Sequence, residues 1–369
     1  RRGREKMRTS RKEVSGVLNK YDLGELKRYK TIKDGLMNLN AEVHTTKGRF
    51  VMRKHAMKQF ENRTLKADAI RFEHDIILHL HNKNYSVPRP ITNNYGTTFT
   101  NHSDNFFTLF PFIQGSGFYD DLFRGKIETV NARTHKRILD AIRHLVEYHI
   151  LVKDTKIKDK KSRCDVSCLD FGQLQTIWKD VGLSRSFLER IKEKDRSERS
   201  EFDKFVLKQM GYVKKIYKKI KKHSKDVKYK KKDIIPIHAD FHEGNLLYEK
   251  DKIKAVIDFD NSHKDYRQYE LVKSMYYFST INRFQDFSFE QASFFLRLYK
   301  KYSKKLGNSI KLNHKDIPFF LRLDLLDTYM FSLSKVYDDQ NVDEMKSMAM
   351  EVVNQLKWVD EKERELINL

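Results

Sequence analysis

Cysteine is scarce in this sequence, and long apolar runs are absent. Only two cysteines, Cys164 and Cys168, occur among 369 residues, and no second pair is present to complete a zinc site. We expect reduced thiols, with a local disulfide between the two as the alternative. No run of eighteen apolar residues occurs, and no apolar stretch follows the basic N-terminus. The sequence therefore indicates neither a membrane span nor a secretory signal, and a cytoplasmic protein is expected.

Negative charge is also in short supply. The chain has 74 Lys and Arg against 51 Asp and Glu, a formal net charge of +23, and such a surface attracts nucleic acid, anionic membranes or anionic ligands. Lysine is concentrated in residues 213–232, VKKIYKKIKKHSKDVKYKKK. Apolar residues recur at helical spacing from Phe202 to Ile220, so we interpret most of these lysines as the solvated face and tail of an amphipathic helix. A dedicated polyanion-binding patch is the alternative.

A polar loop between two apolar segments carries the most informative pattern. In residues 235–247, IPIHADFHEGNLL, two histidines, two acids and an asparagine lie between apolar flanks. Two short strands are predicted downstream, at residues 246–248 and 253–257, around a tight turn. Because a hairpin returns the chain to its start, Asn245 and Asp258 should be neighbours, with Asp240 on the same loop. Such oxygen ligands suit magnesium together with phosphate oxygens and water, and protein kinases use this spacing for phosphoryl transfer.

The segments HADFHEGNLL and VIDFD resemble two motifs of the aminoglycoside phosphotransferase, choline kinase and homoserine kinase superfamily. Its loop reads H-x-D-x-x-x-x-N and its second element reads I-D-[FW]-[DE]. The resemblance implies a kinase that uses ATP and Mg²⁺ to phosphorylate a small molecule. It implies that Asp240 orients or deprotonates the acceptor hydroxyl and that Asn245 and Asp258 hold magnesium on the ATP phosphates. Asp260 is a second acid nearby, and His238 is expected to brace the loop.

A glycine-rich phosphate loop is lacking. The stretch TIKDGLMNLNAEV offers only Gly35, followed by Asn38. It resembles the G-[LI]-x-N element of homoserine-kinase-like members, which implies that Gly35 and Asn38 contact the nucleotide. A hairpin is predicted next, with strands at residues 39–44 and 50–53 around the turn TTKG.

The second of these strands ends in two cations, Arg53 and Lys54. Side chains alternate across a strand, so only one of the two can enter a cleft. The family carries a phosphate-binding cation here, and its apolar-x-apolar-cation ending favours Arg53 over the alternative, Lys54. In the following helix, Glu73 occupies the place of the glutamate that pairs with this cation in the family. A solvated helix face is the alternative for Glu73.

A buried strand is predicted at FFTLFPFIQGSGF, and mainly helical segments follow it. The resemblance makes this strand a hinge whose backbone binds adenine, around Phe110, Phe112 and Ile113. We expect an α+β, two-lobed protein-kinase-like fold. Residues 1–110 would form an antiparallel-sheet N-lobe, and residues 111–369 a mainly helical C-lobe with the catalytic loop, the metal site and the acceptor-binding wall.

The expected function is an ATP- and magnesium-dependent phosphotransferase acting on a hydroxyl of a small molecule, such as an amino alcohol or a sugar. Choline-like acceptors call for an aromatic cage, for which Tyr276, Tyr277, Phe278 and Trp358 are candidates, with core positions as the alternative. The rival interpretation is a kinase-fold binding or assembly protein without turnover. Such a protein would resemble the spore-coat members of the superfamily or bind polyanions through residues 213–232.

Overall fold

A computed structural model of the chain describes residues 9–32, 38–55, 63–117, 132–157, 167–169, 185–281, 286–338 and 342–369. By their internal contacts the residues divide into two compact units. The first unit comprises residues 1–163 and 238–264, and the second unit comprises residues 164–237 and 265–369. The predicted lobe boundary at residue 110 stays a prediction.

The first unit begins with helix α1 (Arg11–Leu18) and an antiparallel five-stranded sheet. Its strands are β1 (Leu26–Ile32), β2 (Leu39–Thr45), β3 (Arg49–Lys54), β4 (Thr100–His102) and β5 (Asn105–Pro111), in the spatial order β1-β2-β3-β5-β4. The predicted hairpin is confirmed, because β2 pairs with β3 and the Thr45 N–H donates to the Gly48 carbonyl at 2.9 Å. The sequence analysis did not predict α1 or β1.

The two faces of this sheet carry different side chains. On one face, Val14 and Val17 of α1 join an apolar cluster with Val43, Met52 and Leu109 of the sheet. Because side chains alternate along β3 and β5, Arg53 and Thr108 lie on the other face, where they contact helix α2 (Arg63–Asn82). The second face thus combines these polar side chains with a smaller apolar cluster of Ala67, Ile70 and Phe106.

Helix α2 has the predicted amphipathic pattern. All four residues predicted for its apolar stripe, Ala69, Phe72, Ile76 and Leu80, are buried. The helix ends where predicted, because Asn84 adopts a left-handed conformation (φ 59°) and the Tyr85 N–H donates to the Leu80 carbonyl at 3.0 Å.

The first unit also contains β6 (Ser116–Gly117), α3 (Ala132–Val152), β8 (Leu246–Glu249) and β9 (Lys252–Val256), while β7 (Ile234–Ile237) belongs to the second unit. Strands β6, β8 and β9 form a three-stranded sheet in that order. Helix α3 braces the β8–β9 turn, since Arg137 Nη2 donates to the Lys250 carbonyl at 2.8 Å and Asp140 accepts the Ile253 N–H at 2.8 Å. The predicted second hairpin is thus confirmed.

The second unit is mainly helical, as predicted for the C-terminal region. Its helices are α4 (Arg185–Glu193), α5 (Glu201–His223), α6 (Arg267–Phe278), α7 (Phe289–Lys305), α8 (Ile317–Asp338), α9 (Val342–Glu361) and α10 (Glu363–Ile367). Short strands β10 (His263–Tyr266), β11 (Thr280–Ile281) and β12 (Asp286–Phe287) complete the described elements. Across the described part of the chain, no helix combines the length and apolarity needed to cross a bilayer.

Helix α5 explains most of the lysine-rich segment. It begins with a capping box between Ser200 and Asp203, and its buried face includes Val206, Val213 and Ile220. Most lysines of residues 213–232 are exposed on the opposite side and in the segment that follows. The predicted amphipathic helix is confirmed.

Candidate active site

The loop of residues 238–245 brings Asp240 and Asn245 together. The Asn245 Nδ2 donates to Asp240 Oδ2 at 3.0 Å and to the Asp240 carbonyl at 2.9 Å. Ala239, directly before Asp240, has a φ of 64°. A left-handed conformation at a residue with a Cβ costs free energy, and such residues concentrate at functional sites.

His238 braces this loop, as predicted. Its ring is fully buried, and its Nε2–H donates to the Ile257 carbonyl at 3.0 Å while Nδ1 accepts the Asp240 N–H at 3.3 Å. The ring also packs on Phe259, with 4.4 Å between the ring centroids. The neutral histidine therefore links the loop of Asp240 to the segment that contains Asp258.

The β8–β9 hairpin brings the chain back to Asn245. Leu246 pairs with Val256, and the Ile257 N–H donates to the Asn245 carbonyl at 3.0 Å. Asp258 follows in a left-handed conformation (φ 65°, ψ 58°) and precedes a short 3₁₀ turn. The predicted proximity of Asn245 and Asp258 is confirmed for the backbone.

Arg53 contacts two acids from different segments. Its Nη1 lies 3.0 Å from Glu73 Oε1 on α2, and its Nη2 lies 3.1 Å from Asp258 Oδ1. The Arg53 and Glu73 side chains are only 10% and 4% exposed. Although burial opposes it, the attraction of Asp258 and Glu73 raises the pKa of Arg53. The solvated-face alternative for Glu73 is wrong.

Lys54 points to the other face of the sheet. Its Nζ lies 2.7 Å from Glu13 Oε1 on α1. The sequence left Arg53 and Lys54 as alternatives, and the structure places Arg53 beside the acids of the site.

Asn38 contacts the second acid of the VIDFD segment. Its Nδ2 donates to Asp260 Oδ2 at 2.8 Å. Its predicted nucleotide contact stays a prediction, and Gly35 lies outside the described residues.

His242 lies beside Asp240 and was given no role in the sequence analysis. Its Nε2 is 3.5 Å from Asp240 Oδ2, and its Nδ1 accepts the Gly244 N–H at 3.0 Å. The acceptor role of Nδ1 belongs to the neutral ring, which burial favours, whereas the neighbouring Asp240 carboxylate favours the protonated ring and raises the pKa of His242. Its place two residues after Asp240 was the signal available in the sequence.

The proposed adenine segment begins at the end of strand β5, which contains Phe110, and continues just beyond it. Phe110 is buried, and its ring centroid lies 5.5 Å from the Arg53 guanidinium carbon. The Phe112 N–H donates to the Arg49 carbonyl at 3.1 Å, and the Arg49 guanidinium stacks over the Phe112 ring at 3.9 Å. The Phe112 N–H is thus already used within the protein. The prediction of adenine binding therefore concerns the remaining backbone groups of Phe110, Phe112 and Ile113.

The site carries more negative than positive charge. Arg53 interacts electrostatically with Glu73, Asp258 and Asp260. A further acid, Asp240, is close enough to interact with Asp258. Burial, followed by repulsion from Asp260, raises the pKa of Asp258 to about 7, although Arg53 opposes this rise. Such crowding of carboxylates favours a bound cation.

The donor set fits a magnesium ion better than a closed metal cage. In the described ranges, no three His, Cys, Asp or Glu side chains form a metal-binding group. Asp258 Oδ1 is buried and faces Arg53 without hydrogen-bond geometry, and the hydrogen bonds of Asn245 Nδ2 leave its Oδ1 to act as a ligand. Magnesium commonly takes one or two protein oxygens and completes its shell with water and substrate phosphates.

The aromatic candidates in the second unit occupy mainly core positions. Tyr276 and Phe278 are buried, and Phe278 stacks on Phe295 with 5.7 Å between the ring centroids. Asp324 is paired with Lys273, whose Nζ lies 2.6 Å from its Oδ1. The core alternative is confirmed for Tyr276 and Phe278.

Cys168 is a free, buried thiol in the second unit, as expected. Its Sγ donates to Asp265 Oδ1 at 2.8 Å, and its N–H donates to Asp265 Oδ2 at 2.9 Å. Cys164 lies outside the described residues.

An antiparallel sheet, a buried arginine–glutamate pair and a loop with Asp240 and Asn245 define a protein of the kinase-like phosphotransferase class. The sequence profile of the phosphotransferase enzyme family (APH) matches residues 28–302. The chain therefore belongs to this family of phosphotransferases, and the family and α+β fold class inferred from the sequence are confirmed.

Similar sequences include homoserine kinases. The chain is 32% identical to the homoserine kinase of Afipia carboxidovorans over 103 residues, which cover 28% of this chain and 30% of that enzyme. It is 23% identical to the homoserine kinase of Bartonella henselae over 262 residues, or 70% of this chain and 67% of that enzyme. The chain thus spans about 30% of the length of the first relative.

Solved structures share the fold. Spectinomycin phosphotransferase APH(9)-Ia, in complex with ADP and spectinomycin, has a TM-score of 0.61 at 14% identity and covers 95% of this chain and 98% of its own. The ethanolamine kinase of Plasmodium vivax has a TM-score of 0.54 at 16% identity, covering 91% and 83%. At these identities the likeness establishes the fold alone. Nothing in these similarities supports polyanion binding through residues 213–232.

Proposed function

We propose that the protein is an ATP- and magnesium-dependent kinase that transfers the γ-phosphate to a hydroxyl group of a small molecule. The observation that carries this proposal is the double contact of one buried arginine. Arg53 contacts Glu73 at 3.0 Å and Asp258 at 3.1 Å, while Asn245 contacts Asp240 at 3.0 Å on the adjoining loop. A buried cation shared by two acids costs desolvation energy, and a positioning role explains why it is present.

Each residue of the site then has a task. Asp240 accepts the proton of the acceptor hydroxyl or orients that hydroxyl for attack. Arg53 binds phosphate oxygens, for which its planar fork of donors is suited, and Glu73 fixes the guanidinium. Asn245 and Asp258 hold the magnesium ion, which when bound neutralises charge on the phosphates.

The remaining nucleotide contacts come from the sheet and the strand β5. Gly35 and Asn38 lie before β2, where backbone amides cover the phosphates. The backbone around Phe110, Phe112 and Ile113 binds the adenine. Both assignments rest on the resemblance of these segments to the family's motifs.

We propose an amino alcohol as the preferred class of acceptor, with sugars as the next candidates. The similar sequences named homoserine kinase and the fold neighbour named ethanolamine kinase support this choice. Both names describe enzymes whose acceptors carry an amino group and a hydroxyl. The net charge of +23 opposes the approach of polycationic aminoglycosides.

A steady-state assay with the full chain tests the proposal. MgATP is offered with homoserine, ethanolamine, choline or spectinomycin, and acceptor-dependent release of ADP is measured. Asp240→Asn should reduce kcat by about 10²–10⁴-fold, because it removes the general base. The same variant should keep the rise in melting temperature that MgATP causes in the wild type.

Asp251→Asn provides a matched control, since it removes an acid from the turn of the β8–β9 hairpin that follows the loop of Asp240, and it should retain wild-type kcat. Equal kcat for Asp240→Asn and the wild type would exclude the proposed role of Asp240. A protein that binds MgATP but phosphorylates none of these acceptors would favour the rival assembly protein.

A further inference from the structure

The hydrogen bond between Asn38 and Asp260 has no task in the phosphoryl transfer described above. Asn38 directly precedes β2, and its side chain is buried, with 8% of the residue exposed. Asp260 lies in the 3₁₀ turn Phe259–Asn261, which follows Asp258. The Asn38 Nδ2 and Asp260 Oδ2 atoms are 2.8 Å apart, although 222 residues separate them in the chain.

A second contact between a donor side chain and an acid, Arg53 with Asp258, accompanies the Asn38–Asp260 hydrogen bond. In the β2–β3 ladder Asn40 is paired with Arg53, so these two residues share a face of the sheet. Asn38 lies in the bend directly before β2, two residues before Asn40. Asp260 accepts the hydrogen bond from Asn38, and Asp258, two residues before it, forms an ion pair with Arg53.

The two donors differ in charge, and this difference has a chemical consequence. Arg53 partly neutralises Asp258, whereas the amide of Asn38 holds Asp260 without cancelling its charge. A hydrogen bond to a charged group is stronger than one between neutral groups, so it restrains the orientation of the carboxylate. The turn keeps its negative charge, with Asn38 holding Asp260 and Arg53 holding Asp258.

We propose that Asn38 is a positioning residue for the divalent cation of the nucleotide. Its hydrogen bond fixes the Asp260 carboxylate and thereby the turn that carries Asp258, so that the site binds nucleotide together with metal. This inference rests on the proposed kinase function and assigns a task to a side chain that does not itself contact the metal.

The test separates metal-dependent from metal-independent nucleotide binding. Manganese serves as the probe, and its binding with ADP is followed by the paramagnetic resonance signal of free Mn²⁺. ADP binding in EDTA is measured by calorimetry. Asn38→Leu removes the donor and keeps every charge, so it should weaken Mn–ADP binding about tenfold. ADP binding in EDTA should weaken by a clearly smaller factor, whereas general damage to the fold would weaken both by the same factor.

An exchange of the two residues provides the rescue. Asp260→Asn alone should weaken Mn–ADP binding, because the carboxylate is lost. The double variant N38D/D260N restores an amide–carboxylate hydrogen bond with donor and acceptor reversed, and it should recover most of that loss. The comparison of the exchange with Asp260→Asn also decides the question if Asn38→Leu does not fold.

The control is N40D/D260N. It restores the same net charge two residues further along the chain, but Asn40 is the cross-strand neighbour of Arg53, so it should not rescue Mn–ADP binding.

Three results would overturn the inference: wild-type Mn–ADP binding in Asn38→Leu, no gain from the exchange over Asp260→Asn, or equal rescue by the control. Failure of the proposed function is distinguishable, because then the wild type itself binds no ADP, and the inference falls with it.

Discussion

The charges of a buried ion pair in the second unit are balanced, whereas the charges around Arg53 in the first unit are not. In the second unit, Arg267 Nη2 lies 2.7 Å from Asp233 Oδ1, with side chains only 3% and 5% exposed. In the first unit, Arg53 is the cation that contacts Glu73 and Asp258, while Asp240 and Asp260 add further negative charge nearby.

This difference distinguishes structural ion pairs from a binding site. A buried pair of opposite charges needs no further partner, whereas an excess of partly buried carboxylates is unfavourable until a cation binds. Backbone strain accompanies the excess negative charge, because Ala239 and Asp258 both adopt left-handed conformations beside it. Strain and repulsion between carboxylates thus lower the stability of the first unit at the place where it is expected to bind nucleotide and metal.

The largest effect on stability should come from breaking the balanced pair. Arg267→Met leaves Asp233 buried without its cation, and we expect the free energy of unfolding to fall by about 3–5 kcal/mol. Urea denaturation followed by circular dichroism measures the change. The double variant Arg267→Met/Asp233→Leu serves as the control and should regain much of the loss, because neither buried charge remains. A loss under 1 kcal/mol, as is typical of exposed pairs, would contradict the assignment of this pair to the buried structure.

The opposite sign is expected for an acid of the unbalanced site. Asp258→Asn removes a carboxylate crowded by Asp260, so the metal-free protein should become more stable. The pKa of Asp258 is raised to about 7, so in the wild type its contribution to stability is full in acid and is lost as the pH rises through about 7. In the variant this part of the pH dependence should disappear.

The expected gain is small, because 38% of the Asp258 side chain is exposed and water screens its charge. A rise of about 2–4 °C in melting temperature at pH 8 corresponds to about 1 kcal/mol in a domain of this size. Calorimetry in EDTA between pH 4 and pH 8 measures both effects. Asp233→Asn is the matched substitution in the second unit and should lower the melting temperature. A lower melting temperature for Asp258→Asn as well would remove the contrast between the units.

The smallest effect is expected at Lys54, on the face of the sheet opposite Arg53. Lys54→Met breaks the contact with Glu13 and should cost about 0–1 kcal/mol of stability, because the pair is only partly buried. MgATP affinity, measured by calorimetry, should stay within about twofold of the wild type. Arg53→Met is the comparison and should lose at least about tenfold in affinity. Loss of MgATP affinity in Lys54→Met would reverse the assignment of the two cations.

Local patterns in the sequence predicted much of the site. The strand period required Arg53 and Lys54 to face opposite sides, and the tight hairpin required Asn245 and Asp258 to be neighbours. Both conclusions depend on residues close together in the chain, where backbone geometry leaves few choices.

Other features could not be predicted in this way. The choice of Arg53 over Lys54 depends on which face of the sheet α1 covers, and the Asn38–Asp260 hydrogen bond joins residues separated by 222 positions. The pKa of Asp258 likewise depends on burial and on carboxylates from several segments. None of these has a local pattern, because each arises from contacts that form only when distant segments pack.

The sequence by itself determined the family, the hairpins, the apolar stripes of the helices and the loop that carries Asp240, because each depends on the spacing of residues close together in the chain. Tertiary structure alone decided which buried charges are matched and which are left in excess. Charge balance is a property of three-dimensional distance and of exclusion from water, and it is therefore defined only in the folded chain.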